Sequence, residues 1–365
     1  MGFKCGIVGL PNVGKSTLFN ALTQTANAQA ANYPFCTIEP NVGDVAVPEA
    51  RLDVIADIGG SAQRIPARMN FVDIAGLVRG ASKGEGLGNQ FLANIRETDA
   101  VLYVLRCFDD DDITHVEGVI DPMADYETVE TELMLADLES LEKRKSGLEK
   151  KLKQNDKDAI QTMRLIELAI TALEDGKPAR VVEVDDDDAK AWKMLQLLTS
   201  KPVLYVANVD EDSAAEGNAY STKVAAHAEA EGAQWVAISA QIESEMALLT
   251  TEEQTEYLGA IGLEEPGLNR LIQAGYALLG LKTYFTVGPK EARAWTFHEG
   301  WSAPKCAGVI HGDFEKGFIR AETTAYQDYV DNNGEQGAKE AGKVRQEGKD
   351  YIVKDGDIML FKFNV

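Results

Sequence analysis

A largely parallel α/β sheet covered by helices, interrupted by a helical hairpin and followed by a small α+β domain, is the architecture predicted for this 365-residue chain. Three observations predict it. Short apolar runs alternate with helix-like stretches through the first part, the pattern of a parallel sheet with crossover helices. Two consecutive stretches carry seam residues at alternating spacings of four and three, which marks two packed helices. Past Leu281 the texture changes to short strand-like pieces with Gly-rich turns between them, and this reads as a separate domain.

The expected strands of the first sheet are Cys5–Val8, Met69–Asp73, Val101–Cys107, Pro202–Ala207 and Trp235–Ile238. The hairpin seams are Met134, Leu138, Leu141, Lys145, Leu148 and Leu152, then Ala159, Met163, Ile166, Ile170 and Leu173, with Gln154-Asn155-Asp156 as the turn. The expected α/β domain is therefore split, residues 1–127 and 200–281, around a hairpin over 128–199, and the last domain covers 282–365. Strand-like pieces of that last domain are Tyr284–Val287, Ala294–Thr296, Ile352–Val353 and Met359–Phe363. The runs Asp109–Asp112 and Asp185–Asp188 read as solvated loops, because consecutive aspartates do not point at one centre.

Hydrophobic residues make up 45% of the chain, enough for sizeable cores, and the net charge is −23. An acidic surface disfavours broad nonspecific nucleic-acid binding, and DNA is not an expected partner. The charge is uneven. Residues 282–365 hold 12 Lys/Arg against 13 Asp/Glu, so the preceding residues carry a net −22. Lysines gather at the hairpin tip, from Lys143 to Lys157. They read first as a solvated helix face and second as an RNA or ribosome contact. Cys5, Cys36, Cys107 and Cys306 lie far apart with no C-x-x-C pair, which suits a reducing compartment. No signal peptide or long apolar run is visible, so a cytoplasmic protein with no membrane span is expected.

The functional signal is the run Gly9 to Ser16, a complete G-x-x-x-x-G-K-S loop between a strand and a helical pattern. That order of elements is what the motif requires. Its glycines let backbone N–H groups of Asn12, Val13 and Gly14 curl around phosphate oxygens, and the following helix turns its positive end on them. Lys15 can reach the outer phosphates, Ser16 can ligate Mg²⁺, and Thr17 follows in the first turn. Downstream, Asp73-Ile74-Ala75-Gly76 closes a strand with Asp-x-x-Gly. Asp73 can hold Mg²⁺ through water, and the Gly76 N–H can sense a γ-phosphate. Between them Thr37 can add a second hydroxyl to the metal. Together these markers narrow the reading to a P-loop nucleotide site with Mg²⁺ and γ-phosphate contacts.

Base reading is altered. GTPases of the switch type carry Asn-Lys-x-Asp after a strand, whereas here the run is Asn208-Val209-Asp210-Glu211. Asn208 can still bond a purine N7. Glu211 is one methylene longer than aspartate, and displacing a bidentate carboxylate costs selectivity, so ATP becomes a substrate. Ser239-Ala240 matches the other base-side loop. Leu77 stands where a water-orienting Gln is usual, so another group must act. In related proteins an Asn at the place of Asn12 helps hold a K⁺ near the phosphates, so K⁺ is a further expected ion. His115 is the remaining catalytic candidate.

These stretches resemble the YchF/Obg-like ATPase subfamily of P-loop NTPases over essentially the full length. The resemblance is carried by Gly9–Thr17, Asn32–Asn41, Asp73–Leu92, Asn208–Glu211, Asp313–Ala321 and Tyr351–Asp357. It implies a GTPase-type domain interrupted by the hairpin, and a C-terminal TGS domain of ubiquitin-like β-grasp fold. It implies Mg²⁺-dependent hydrolysis of ATP, with GTP poorer, and ribosome association. It also implicates the loop histidine, here His115, in hydrolysis and matches Leu77 to a hydrophobic family position. Two alternatives stay open at this stage. One is a GTPase switch in which Asp210 or Glu211 pairs guanine. The other is an ATP-gated binding module with incidental hydrolysis.

Overall fold

The computed structural model describes residues 3–30, 41–74, 87–110 and 118–364. Its elements begin β1 (Lys4–Val8), α1 (Lys15–Ala30), β2 (Val42–Ala46), α2 (Ala50–Gly59), β3 (Gln63–Ile65), β4 (Arg68–Asp73), α3 (Leu87–Arg96) and β5 (Ala100–Cys107). Next come α4 (Pro122–Leu152), α5 (Lys157–Glu174), α6 (Asp186–Lys193), β6 (Val203–Val209), α7 (Ala219–Glu231), β7 (Gln234–Ile238), α8 (Ala240–Met246), α9 (Thr251–Ala260) and α10 (Gly267–Leu278). The chain ends with β8 (Leu281–Val287), β9 (Glu291–His298), α11 (Ala303–Ile310), α12 (Gly312–Lys316), β10 (Phe318–Thr324), α13 (Tyr326–Asp331), α14 (Glu335–Glu340), β11 (Arg345–Glu347) and β12 (Ile358–Phe363). Two compact units result. One comprises Phe3–Gly43 with Asn70–Leu271, the other Asp44–Met69 with Ile272–Val365.

The first sheet has the order β2-β4-β1-β5-β6-β7. The pairs β4–β1, β1–β5, β5–β6 and β6–β7 are all parallel. Every residue of β5 and β6 is buried, as expected of central strands covered on both faces. The five expected strands are β1, β4, β5, β6 and β7. The short edge strand β2, with Gly43 inside it, gave too little apolar signal to be recognised.

The hairpin consists of α4 and α5 joined by a four-residue turn, in which Asn155 takes a left-handed φ of 55°. Asp121 caps α4 by accepting from the Met123 N–H, and Pro122 sits at the first helical position, where it needs no partner. The helix therefore starts six residues before the expected boundary. Leu141, Ile166, Ile170 and Leu173 form its core as the spacing predicted, while Leu165 and Ala169 are further members. Lys145, expected in the seam, is exposed and lies 4.0 Å from Glu167. The run Asp185–Asp188, expected as a loop, instead opens α6, where carboxylates suit the positive helix end.

A buried polar network ties the hairpin base to the sheet. Tyr103 on β5 donates to Glu130 of α4, and Arg180 donates to Glu130 at 2.6 Å and to the Tyr126 hydroxyl at 2.9 Å. Tyr205 on β6 donates to Glu231 at 2.6 Å. Asp137 closes the hairpin by accepting from the backbone N–H groups of Leu198 and Thr199, both at 2.9 Å.

The second sheet has the order β11-β10-β12-β8-β9-β3. Hairpin β8–β9 is antiparallel, β12 runs parallel to β8, and β10 is antiparallel to both β12 and β11. Those five strands wrap α11 as a β-grasp, burying Cys306 and Ala307 against Tyr284, Phe297 and Phe361. Residues 44–69, expected in the first domain, group with this unit. Strand β3 extends its sheet along β9, and Arg51 of α2 pairs with Asp355 at 2.8 Å. Ile352–Val353, expected as a strand, makes only one isolated bridge, Ser302 to Ile352. Among the described residues no helix is long and apolar enough to cross a membrane.

Candidate functional site

The loop after β1 is shaped by backbone that side chains would obstruct. Gly9 takes φ 157°, and a Cβ there would lie 2.4 Å from the Val104 carbonyl oxygen. Asn12 takes φ 63°, which asparagine tolerates better than most residues. Helix α1 begins at Lys15, and its first intrahelical bond runs from the Leu18 N–H to the Gly14 carbonyl. The N–H groups of the first turn therefore remain for a ligand, at the positive end of the helix.

Above this loop lies a cleft of about 610 Å³, within the usual range for small-molecule sites. Asn12, Gly14, Lys15, Ser16 and Thr17 line it, together with Asn208, Val209, Asp210 and Glu211 and with Ser239 and Ala240. The structure thus brings the expected phosphate-side and base-side residues to one cavity. Val13 is fully buried beneath it and contributes its carbonyl. Asp73, at the end of β4, influences Lys15 electrostatically. Thr37, Gly76, Leu77 and His115 lie outside the described residues.

Lys15 is 7% exposed and donates to the Leu10 carbonyl at 2.6 Å. Burial lowers its pKa to about 8, against an opposing pull from Asp73. Burial also raises the Asp73 carboxyl above the ordinary carboxylate range, and Lys15 offsets part of that rise. An anionic phosphate beside Lys15 would favour its charged form further.

Asn208 does more than the base contact expected of it. Its Nδ2 donates to the Val13 carbonyl at 2.9 Å, and its Oδ1 accepts from the Ala240 N–H at 2.9 Å. It braces the phosphate loop against the base-side loop and keeps one N–H for a base. Gly14 makes room for this brace, since a Cβ there would meet Asn208 Nδ2 at 2.2 Å. Asp210 accepts from the Ser213 N–H at 2.9 Å and so closes a turn. The Glu211 side chain is exposed at the cleft edge. Ser239 caps α8, accepting from the Ile242 N–H.

The sequence reading missed the wall formed by Phe108, Asp109 and Asp110, and also Gln241, Ser244 and Glu245 on α8. Only Arg106 offered a signal, as a charged residue in the apolar run of β5.

One buried carboxyl lies a turn beyond the base-side loop. Glu243 is 3% exposed, and its Oε1 accepts from the Gly267 N–H at 2.7 Å. Burial raises its pKa from 4.5 to about 7, against the lowering effect of its hydrogen bonds and Arg270. The folded state therefore holds this proton more tightly than the unfolded chain. Its contribution is complete below pH 4.5 and is lost as pH rises to about 7, a change on the order of 3 kcal/mol. Glu243→Gln keeps the acceptor and removes the titration. The variant is expected to be more stable than the parent at pH 8 and to converge with it towards pH 5. Equal stability differences at both pH values in urea unfolding would contradict this.

Residues 4–131 match a family model described as a 50S ribosome-binding GTPase. Residues 281–364 match the C-terminal model of YchF GTPases, described as a protein of unknown function (DUF933). A ribosome-binding ATPase YchF of Haemophilus ducreyi is 60% identical over 365 residues, covering all of both chains. The Bacillus subtilis protein of the same name is 54% identical over 367 residues, again with full coverage. The structure of the Schizosaccharomyces pombe YchF GTPase superposes with a TM-score of 0.89 at 38% identity, covering 99% of this chain and 98% of that one. Full-length identity at this level, with the same fold throughout, places the chain in the YchF family.

Proposed function

We propose that this chain is a cytoplasmic, Mg²⁺-dependent ATPase that prefers ATP to GTP and acts as a nucleotide-dependent switch on the ribosome. The observation that carries the reading is the base end of the cleft. Val209 is 2% exposed within β6 and offers no cation, and Asp210 is committed to its own turn. Within the run Asn208–Glu211, Glu211 is then the carboxylate left to face a base, and its extra methylene is wrong for the paired N–H groups of guanine. Ribosome association rests on the relatives, which are named for it.

Ser16 and Asp73 offer a hydroxyl and a carboxylate, hard oxygen donors that fit Mg²⁺. Ser16 faces the cleft, and the field of Asp73 reaches Lys15. Mg²⁺, when bound, neutralises charge on the β- and γ-phosphates. The chain supplies the rest. N–H groups of the loop and of the first turn of α1 hold phosphate oxygens, and Lys15 stabilises charge that develops as the γ-phosphoryl departs. Thr37 and Gly76 are proposed to report the γ-phosphate, Asn12 to help hold a K⁺, and His115 to position the attacking water in place of Leu77. The C-terminal unit is proposed to be a TGS domain. With the hairpin tip, where Lys150, Lys151, Lys153 and Lys157 are exposed, it would meet the ribosome.

Equilibrium binding of ATP and GTP, side by side with Mg²⁺ and K⁺, tests the central claim. ATP is expected to bind at least roughly tenfold tighter, about 1.4 kcal/mol. The pair Val209→Lys with Glu211→Asp is expected to move the ratio towards GTP. Tighter GTP binding by the parent would overturn the reading in favour of a GTPase switch. Turnover that survives His115→Ala unchanged would remove the histidine from the mechanism.

A further inference from the structure

We propose that Arg106 is a positioning residue for nucleotide binding and hydrolysis, holding the cleft wall formed by residues 108–110. The proposal rests on the ATPase reading above.

Arg106 is 1% exposed, among the largest fully buried side chains of the protein. Burying a guanidinium is expensive unless its donors are used. Two of them reach one short stretch of backbone. Nε donates to the Phe108 carbonyl at 3.2 Å, and Nη2 donates to the Asp110 carbonyl at 3.2 Å. The guanidinium also lies 4.7 Å from the centroid of the Phe108 ring. One planar fork therefore holds Phe108 and Asp110, the two ends of a three-residue stretch, a geometry that lysine's single ammonium cannot reproduce.

Those three residues are a wall of the nucleotide cleft. Two further clamps act on the same stretch. Asn218 Nδ2 donates to the Cys107 carbonyl at 2.7 Å, and the Tyr220 hydroxyl donates to Asp109 at 3.2 Å. Arg106 also sits in register with Asn208 on the neighbouring strand. Register partners in a sheet point to the same face. The brace of the phosphate loop and the anchor of the wall thus stand side by side beneath the cleft.

Calorimetric ADP binding, steady-state ATP turnover and thermal melting of the full chain test this, with assays run well below the melting range. Arg106→Lys keeps the charge and loses the fork. It is expected to weaken ADP roughly tenfold and to lower kcat by roughly tenfold or more. Arg106→Met is the harsher variant; should it not fold, Arg106→Lys decides. ADP affinity and kcat unchanged in folded Arg106→Lys would overturn the proposal, whatever the melting temperature, and would leave Arg106 a structural residue.

Discussion

Gly14→Ala is expected to bind neither ATP nor ADP at concentrations that saturate the parent. The backbone at Gly14 has φ 92°, and a Cβ built there stands 2.2 Å from Asn208 Nδ2. Asn208 cannot move aside cheaply. It is 4% exposed, and its amide holds the Val13 carbonyl and the Ala240 N–H together. Displacing it orphans two buried groups, each at about 1–3 kcal/mol. A side chain in left-handed backbone adds about 1–2 kcal/mol. The loop is expected to relax by opening, which scatters the N–H groups that cradle phosphate. The loss should exceed roughly 100-fold in affinity, about 2.7 kcal/mol. Gly60→Ala is the control. Gly60 also has a positive φ, 61°, but a Cβ there meets nothing within 4 Å, so it tests backbone strain without a clash and should leave ADP binding intact. Affinity of Gly14→Ala within threefold of the parent would mean that the Asn208 brace is dispensable.

Arg180→Ala should be the most destabilising single truncation at the hairpin base. Arg180 and Glu130 are 14% and 5% exposed at the side chain, so solvent screens their pairing little. Removing the guanidinium leaves the Glu130 carboxylate buried with Tyr103 as its remaining named donor. Breaking such a pair from one side costs about 3–5 kcal/mol. Tyr126 and Glu231 lose a partner as well. In a unit of this size the melting temperature should fall by roughly 10 °C. Adding Glu130→Gln should recover part of the loss, because it removes the stranded charge while keeping an acceptor. A melt within about two degrees of the parent would show that the network contributes little, and a double variant no better than Arg180→Ala would shift the cost away from Glu130.

The phosphate loop was legible because its letters encode backbone demands. Gly9 and Gly14 sit where a Cβ collides, and Lys15 begins the helix. The hairpin was legible because seam spacing is a local property, although capping by Asp121 moved its start. What the sequence hid depends on long-range contact. Strands β2 and β3 are too short for their periodicity to speak. The brace made by Asn208 joins residues almost 200 positions apart, so the motif suggested a base contact alone. Arg106 is a donor whose acceptors lie two and four residues onward, yet nothing in the letters told whether it turned inward. The acidic run at 185–188 was misread because a loop and a helix start share the same composition.

Strand β3 is made more than two hundred residues before β9, the strand it joins. At ordinary synthesis rates the gap is roughly ten to fifty seconds. Through that interval α2 and β3 have left the ribosome while the sheet they complete does not yet exist. Arg51, which ends beside Asp355 and over the Phe285 ring, waits nearly as long as any residue in the protein. The last unit to be translated is thus the one that cannot be finished from its own end of the message. A nascent chain halted near residue 270 should hold α2 and β3 in a protease-sensitive state, and release of the full chain should protect them.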